Sequence, residues 1–318
     1  MRKYAWIVAI LLTALPLLTL ASSPDSALLV GHVTIKIWPH GAPGPKNARG
    51  PEENVSAPSD HLVAGRRVFA LSDVSEPSIT IFQPLSGETP RPAIVVFPGG
   101  GYHALALDLE GVEVSKWLNS LGIVAVLLEY RVPEPSGVPR YLEPLEDAQR
   151  AVGYVRFHAA GWHIDPTRIG VIGFSAGGDL GALLSNDFRR RLYSPVDAAD
   201  QESCRPDFAM LVYPAYLVNR IPGGYRLAAQ LKVTGRTPPT FLVQAEDDPV
   251  HVENVVYYFL ALKRAGVPAE MHIFTRGGHG YGLRRTALPV TRWPALAAKW
   301  LHTVGVLSPA AGNAKPAE

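Results

Sequence analysis

The segment from 168 to 179 reads Arg168-Ile169-Gly170-Val171-Ile172-Gly173-Phe174-Ser175-Ala176-Gly177-Gly178-Asp179. Its apolar first half is typical of a buried β-strand, and the Gly-x-Ser-x-Gly pattern that follows predicts a sharp turn into a helix. A serine that projects from such a turn needs small neighbours, and glycine or alanine stands at four nearby positions. Ser175 is therefore the candidate nucleophile, and because the pentapeptide also occurs by chance, its surroundings have to decide.

The composition of the chain fits one large α/β domain. Of its 318 residues, 47% are hydrophobic and 18% are charged, with 29 Gly and 29 Pro, which argues against a disordered or fibrous chain. The formal net charge is +2, and there is no basic stripe interleaved with aromatic residues, so nucleic acid is not expected as a partner. A single cysteine, Cys204, excludes an intrachain disulfide and a cysteine-rich metal site.

After Pro92, continuous apolar runs alternate with helical segments. This alternation predicts a doubly wound, mostly parallel sheet with helices on both faces. The predicted strands are 93–97, 124–129, 169–172, 208–212, 241–245 and 270–274, and the predicted helices are 111–120, 145–160, 177–185, 252–265 and 293–303. Residues 67–71 and 78–83 alternate apolar and polar side chains, which predicts an antiparallel pair at the N-terminal edge of the sheet.

The start of the chain resembles an export signal. Residues 1–23 combine a charged start, an apolar run and a small-residue end, so we expect a secretory signal and a periplasmic or extracellular protein. The alternative is an uncleaved membrane anchor, although the run is short for a spanning helix and contains Pro16. Without the signal, no stable membrane association is expected.

The remaining chain divides by composition. Residues 24–62, rich in Pro, Gly, Asn and Ser, predict an N-terminal extension, and residues 63–307 predict the catalytic domain. Within that domain, 186–206 and 214–239 are long connections of the kind that form lids or mobile surface. Residues 308–318 predict a disordered tail.

A base and an acid for Ser175 follow it in the chain. His279 lies in a glycine-flanked loop after the last predicted strand, where it can reach over the end of the sheet. Two adjacent aspartates follow the strand 241–245, and either can orient that histidine. Loop pattern favours Asp247, because the apolar Val250 can hold its loop, with Asp248 as the alternative. The order Ser, Asp, His is that expected of an α/β-hydrolase.

Donors for a developing oxyanion are predicted at two strand ends. One is the backbone N–H of Ala176, and the others come from the run 98–102, which contains three successive glycines. Side chains near these ends could form an acyl or sugar pocket, or could pack in the core or at the rim of the site: Tyr102, His103, Tyr213 and Tyr281.

Together these motifs resemble the α/β-hydrolase superfamily. They include the serine turn, Gly99-Gly100-Gly101-Tyr102, Glu129-Tyr130-Arg131, Asp165-Pro166-Thr167-Arg168-Ile169 and Gly277-Gly278-His279-Gly280. More narrowly, residues 38–307 look like bacterial esterases related to acetylxylan esterases, feruloyl esterases and the hormone-sensitive-lipase group. The resemblance implies Gly100 and Gly101 as oxyanion donors. It leaves the aspartate open, because some relatives place the acid directly before a proline, as at Asp248. At Pro98 the chain departs from the histidine that many relatives have there.

The expected function is hydrolysis of short-chain acyl esters by a serine carboxylesterase, and the resemblance together with export suggests acetyl groups on xylan or a related polysaccharide. A serine peptidase or amidase of the prolyl-oligopeptidase type is the alternative, followed by a non-catalytic binding protein on a hydrolase fold. A serine mechanism of this kind needs no cofactor and no metal. Acyl length and oligomeric state are not predicted by the sequence.

Overall fold

The computed structural model describes residues 25, 27–44, 49–86 and 89–308. The predicted signal segment and residues 309–318 of the predicted tail lie outside the described residues. Within the described ranges, no helix has both the length and the apolar character needed to cross a membrane.

Strands and helices alternate through most of the chain. The strands are β1 (Val33–Lys36), β2 (Glu53–Asn54), β3 (Ala70–Ser72), β4 (Ser78–Phe82), β5 (Arg91–Phe97), β6 (Leu105–Ala106), β7 (Val124–Glu129), β8 (Ile164–Phe174), β9 (Ala209–Val212), β10 (Val218–Ile221), β11 (Gly224–Leu227), β12 (Thr240–Ala245) and β13 (Ala269–Phe274). The α-helices are α1 (Glu113–Ser120), α2 (Leu142–Phe157), α3 (Ala176–Asn186), α4 (Glu253–Arg264) and α5 (Trp293–Thr303). A π-helical turn, Leu107–Val112, leads into α1.

The main sheet has eight strands in the order β1-β4-β7-β5-β8-β9-β12-β13. Pairing is parallel from β7 to β13 and antiparallel at β1 and β4. Strands β7, β9 and β12 are buried at every position, which explains their predominantly apolar sequences. The predicted mostly parallel α/β sheet with antiparallel strands at its N-terminal edge is confirmed.

One predicted strand pair is wrong. Residues 67–71 and 78–83 do not pair with each other: β4 pairs with β1, in the register Ile35↔Ile79. Strand β3 instead belongs to a separate small sheet between β2 and β6. Alternation marks a strand as half-buried but does not identify its partner, and here the partner of β4 comes from the predicted N-terminal extension.

A buried ion network attaches that extension to α2 and to the segment after β7. Arg131, 2% exposed, donates from Nε to Asp147 Oδ2 at 2.9 Å and from Nη2 to Glu146 Oε2 at 2.8 Å. Asp147, on α2, also accepts the indole N–H of Trp38 at 2.9 Å. The residue that follows β1 by two positions is thereby fixed to the helix and to the end of β7.

The two long connections differ in how they are held. The first, 186–206, is fastened to α2 by Arg150, whose two Nη atoms donate to the Asp197 carboxylate at 2.7 and 2.6 Å. The second, 214–239, contains the hairpin of β10 and β11. Lid behaviour of either segment stays a prediction.

Glu129, at the end of β7, makes the stability of the protein depend on pH. It is 4% exposed, and burial, followed by the nearby Asp25 and Glu52 carboxylates, raises its pKa to about 8. Because the folded-state pKa lies above the unfolded value, the folded chain binds more protons, and the stability present below about pH 4.3 is lost as pH rises towards 8.

We therefore expect Glu129→Gln, which cannot ionise, to flatten this dependence. Between pH 5 and pH 8 the free energy of unfolding of the wild type should fall more than that of the variant, by at most about 1.4 kcal/mol per pH unit. Urea titrations of both proteins across this range measure the difference. Parallel curves for the two proteins would contradict the assignment to Glu129.

Candidate active site

Ser175 lies at a strained turn between β8 and α3. Its backbone φ is 51° and ψ is −116°, a conformation that L-residues rarely adopt and that costs on the order of 1–3 kcal/mol. The turn is possible only with small neighbours, since a Cβ on Gly177 would lie 2.0 Å from the carbonyl oxygen of Phe97. The surrounding strands hold the strained backbone, because the N–H of Ser175 donates to Val212 O at 3.1 Å.

Ser175, His279 and Asp248 form one hydrogen-bonded chain. Nε2 of His279 lies 2.8 Å from Oγ of Ser175, and Nδ1 lies 2.9 Å from Oδ2 of Asp248. The Asp248 side chain is fully buried, whereas that of His279 is 24% exposed. A carboxylate at Nδ1 selects the tautomer that carries its proton there, which leaves Nε2 free to accept the serine proton.

The structure contradicts the preference for Asp247 as the partner of His279. The Asp247 side chain is exposed, and its Oδ1 accepts the backbone N–H groups of Gly277 and Gly278 at 2.8 and 2.7 Å. These hydrogen bonds favour the ionised form and lower the pKa of Asp247. Asp247 thus fastens the histidine loop by its backbone, and Asp248 holds the imidazole itself.

The orientation of Asp248 follows from the turn that it begins. Its Oδ1 accepts the N–H of Val250 at 2.8 Å, across the intervening Pro249, as an aspartate that opens a turn commonly does. Gln244, buried in β12, donates from Nε2 to the other oxygen at 3.1 Å. The local turn therefore points Asp248 inwards. The sequence argument for Asp247 relied on apolar packing of Val250, whereas the structure shows Val250 holding the loop by donating its N–H to Asp248.

The glycine loop after β5 and the start of α3 present backbone N–H groups near Ser175. Gly100 has φ of 137°, and a Cβ there would lie 2.0 Å from the carbonyl oxygen of Ala104, so only glycine fits. The N–H groups of Gly100 and Gly101 donate to no protein acceptor in the described part of the chain. Ala176 is the first residue of α3, and the role of these three N–H groups as oxyanion donors stays a prediction.

Glu110 is a site residue that the sequence analysis missed. It is 3% exposed and accepts the N–H of Gly99 at 2.6 Å and the hydroxyl of Tyr213 at 2.9 Å. The Tyr213 oxygen in turn accepts the N–H of Gly282 at 3.0 Å. Burial raises the pKa of Glu110, while these donors act in the opposite direction. One buried carboxylate thus connects the glycine loop to the histidine loop.

We expect Tyr213→Phe to destabilise the protein. The change leaves an oxygen of Glu110 and the N–H of Gly282 buried without a partner, at a cost of about 1–3 kcal/mol for each group. Tyr281→Phe is the matched control, because the Tyr281 hydroxyl is buried and has no hydrogen-bond partner among the described residues. Urea midpoints at constant m-value measure the effect, and equal midpoints for the two variants would refute the bridging role of Tyr213.

The predicted pocket residues occupy different places. Tyr213 packs edge-on against His279 with ring centroids 5.0 Å apart, and Tyr281 packs against Tyr213 with ring centroids 4.5 Å apart. Tyr213 therefore contacts the imidazole directly, and Tyr281 contacts Tyr213. Tyr102 is fully buried below the glycine loop and donates its hydroxyl to Asp179 at 2.8 Å. His103 is exposed beside Gly101. These four residues therefore do not line one common cavity wall.

Within the described ranges, no group of three or more His, Cys, Asp or Glu side chains is placed to hold a metal ion. Cys204 is 2% exposed, and burial raises the pKa of its thiol, which disfavours the reactive thiolate. The groups around Ser175 instead combine the serine hydroxyl, a histidine base with an oriented tautomer and free backbone N–H groups. Such an arrangement is suited to nucleophilic attack on a carbonyl group.

Comparison with known proteins relates the chain to esterases. A family model described as BD-FAE matches residues 79–211, and one described as the prolyl oligopeptidase family matches residues 214–303. An acetylxylan esterase of Xylanibacter ruminicola is 31% identical over 67% of this chain. The chain spans 45% of the length of that curated relative.

Two solved structures match a larger share of this chain than the acetylxylan esterase does. The acetyl ester-xyloside bifunctional hydrolase from Caldicellulosiruptor lactoaceticus is 33% identical, with a TM-score of 0.65 over 86% of this chain and 97% of that one. MGS-M1, an α/β-hydrolase enzyme from a deep-sea metagenome library, is 30% identical, with a TM-score of 0.59 over 72% of this chain and 92% of that one. By sequence and by fold, the chain belongs to the α/β-hydrolase superfamily, among its esterases.

Proposed function

We propose that this protein is a serine carboxylesterase that hydrolyses short-chain acyl esters through an acyl-enzyme intermediate. The observation that carries the proposal is the unbroken contact chain from Ser175 Oγ through His279 to Asp248, with 2.8 and 2.9 Å between the heavy atoms. Free N–H groups at Gly100 and Gly101 support it, since acyl transfer needs donors where negative charge develops.

In the proposed reaction, Ser175 Oγ attacks the ester carbonyl carbon while His279 Nε2 takes its proton. The carbonyl oxygen becomes an oxyanion that accepts the N–H groups of Gly100, Gly101 and Ala176. When the tetrahedral intermediate collapses, His279 returns the proton to the departing alcohol, and the acyl group stays on Ser175. Water then attacks the acyl-enzyme by the same steps, which releases the carboxylic acid. Asp248 keeps its negative charge and stabilises the imidazolium at each stage.

Acetyl groups on xylan or a related polysaccharide are the proposed substrate. One of the similar proteins is named an acetylxylan esterase and another an acetyl ester-xyloside bifunctional hydrolase, which supports this choice. The export signal proposed at residues 1–23 supports it as well, because export would carry the enzyme to where plant polysaccharide is met.

A panel of esters tests the proposal. We expect the purified protein to hydrolyse 4-nitrophenyl acetate faster than the butyrate and octanoate, and to release acetate from acetylated xylan. Released acid should be quantified directly, because activated phenyl esters also react with weak nucleophiles. Faster turnover of the octanoate, or no acetate from xylan, would exclude the proposed substrate class while leaving the esterase chemistry in place.

A serine peptidase or amidase is the second candidate, favoured by the match of residues 214–303 to the prolyl oligopeptidase family. That region includes both Asp248 and His279, so it concerns the acid and the base. Comparing an acetyl ester with a prolyl 4-nitroanilide separates the two candidates. A higher kcat/KM for the anilide would replace the esterase assignment.

A further inference from the structure

A polar cavity of about 390 Å³ adjoins the candidate active site. Its lining includes Asp179, Glu134, Arg140, Tyr216, Asn219 and Gln230. Asp179 lies one helical turn after Ser175 on α3, and its N–H donates to the carbonyl oxygen of Ser175 at 3.2 Å. A Cβ on Gly101 would lie 3.9 Å from the Tyr216 hydroxyl, so the opposite wall touches the glycine loop. The cavity therefore borders the candidate active site through α3 on one side and through Tyr216 and the glycine loop on another.

Two carboxylate oxygens at this cavity lack partners. Asp179 is 1% exposed: its Oδ2 accepts the Tyr102 hydroxyl, but its Oδ1 has no hydrogen bond within the described residues. Oε2 of Glu134 is likewise buried without a partner there. Buried acceptors are nearly always paired in folded proteins, so two orphans on one cavity point to a ligand that supplies hydrogen-bond donors.

The charged groups of the cavity are of both signs. Arg140 is exposed, and its guanidinium lies 4.5 Å from the centre of the Tyr216 ring, within the same lining. It also interacts electrostatically with Asp179. The lining therefore offers both acceptors and donors, and an alkyl chain would leave the two carboxylate oxygens and the two amides unpaired. Hydroxyl groups satisfy both the carboxylates and the amides without a charge conflict.

We propose that this cavity is the subsite for a polyhydroxylated alcohol moiety, a glycosyl unit, whose hydroxyls donate to Asp179 and Glu134. The inference rests on the proposed esterase function and adds to it the residues that select the alcohol. Arg140, an exposed member of the lining, stands beside Tyr216 at this subsite. Asp179 and Glu134 thus discriminate between esters that share an acyl group and differ in the alcohol.

The test compares two acetates of similar ring size. One is methyl β-D-xylopyranoside monoacetate, which carries free hydroxyls, and the other is cyclohexyl acetate, which carries none. In Asp179→Asn the Tyr102 hydroxyl requires the remaining amide oxygen, so an NH₂ donor takes the place of the free acceptor. Glu134→Ala removes the second acceptor. For each protein, the ratio of kcat/KM for the xyloside ester to kcat/KM for cyclohexyl acetate is measured.

We expect this ratio to fall about tenfold or more in each variant, mainly through KM for the xyloside ester. Glu76→Gln is the control, because Glu76 is exposed and pairs with Lys36 at the outer edge strand, and it should keep the wild-type ratio. A ratio within threefold of the wild type in both variants overturns the subsite. Equal losses on the two esters also overturn it, since they would mean that Asp179 only supports Tyr102.

Two further measurements keep these outcomes distinct. Near-UV circular dichroism checks folding, and if Asp179→Asn does not fold, the less buried Glu134→Ala decides alone. Ser175→Ala is assayed on both esters. If it hydrolyses them at the wild-type rate, the proposed function fails, whatever the ratio. If hydrolysis depends on Ser175 but the ratio does not change, only the subsite fails.

Discussion

Replacing Ser175 by alanine is expected to lower kcat for 4-nitrophenyl acetate by about 10⁶-fold, to the background of the assay. The change removes the Ser175 Oγ, which lies 2.8 Å from His279 Nε2 and is the proposed nucleophile. Labelling by a fluorophosphonate probe should be lost together with turnover. The fold should persist, because alanine fits the space and the strained turn is held by backbone hydrogen bonds.

Ser185→Ala provides the matched control for this experiment. Ser185 is on α3, the helix that begins directly after Ser175, and its hydroxyl donates to the carbonyl oxygen of Gly181 at 2.7 Å. It should keep both labelling and turnover. If Ser175→Ala retained more than a tenth of the wild-type kcat, the serine mechanism would be wrong. If the wild type itself resisted the probe, a non-catalytic binding protein would become the better assignment.

Asp248→Asn is expected to lower kcat by about 10³- to 10⁴-fold. An amide in place of the carboxylate can present an NH₂ group to Nδ1 of His279, which favours the tautomer with its proton on Nε2, facing Ser175. It also withdraws the charge that stabilises the imidazolium. Steady-state kinetics with 4-nitrophenyl acetate at pH 7 to 9 measure the loss.

The neighbouring Asp247→Asn serves as the comparison. Its remaining amide oxygen can still accept the N–H groups of Gly277 and Gly278, so we expect a loss of less than about tenfold. The two changes are adjacent in the chain and chemically identical. Should Asp247→Asn be the more damaging of the two, the assignment of Asp248 as the orienting acid would have to be abandoned.

The centre of the fold could be predicted because its signals are local. An apolar run followed by small residues around Ser175 has few alternatives to a strand, a tight turn and a helix, and β8 and α3 are where the sequence pattern places them. The parallel strands were equally visible, since burial on both faces removes polar residues from their sequences. His279 was found because it is the histidine that follows the last parallel strand within a glycine-rich loop.

The roles of single carboxylates could not be predicted in this way. Asp247 and Asp248 have the same chemistry and follow the same strand, and the rotation of the backbone through one turn decides which of them is buried. Glu110 and Asp179 have no motif of their own. Each becomes part of the site only because folding brings it against Tyr213 or Tyr102, which lie far away in sequence.

Strand β1 is the edge strand of the main sheet. It covers the outer edge of β4, and the adjoining Ile37 and Trp38 are 0% and 5% exposed. A chain trimmed to residues 63–307 would carry a newly bare edge, whose unpaired N–H and C=O groups form a template for strands of other molecules. The same trimming would remove the indole donor of Asp147. Strand β4, buried at every position, would then stand at the edge in place of the mostly exposed β1, so we expect the trimmed chain to aggregate more readily than the full chain.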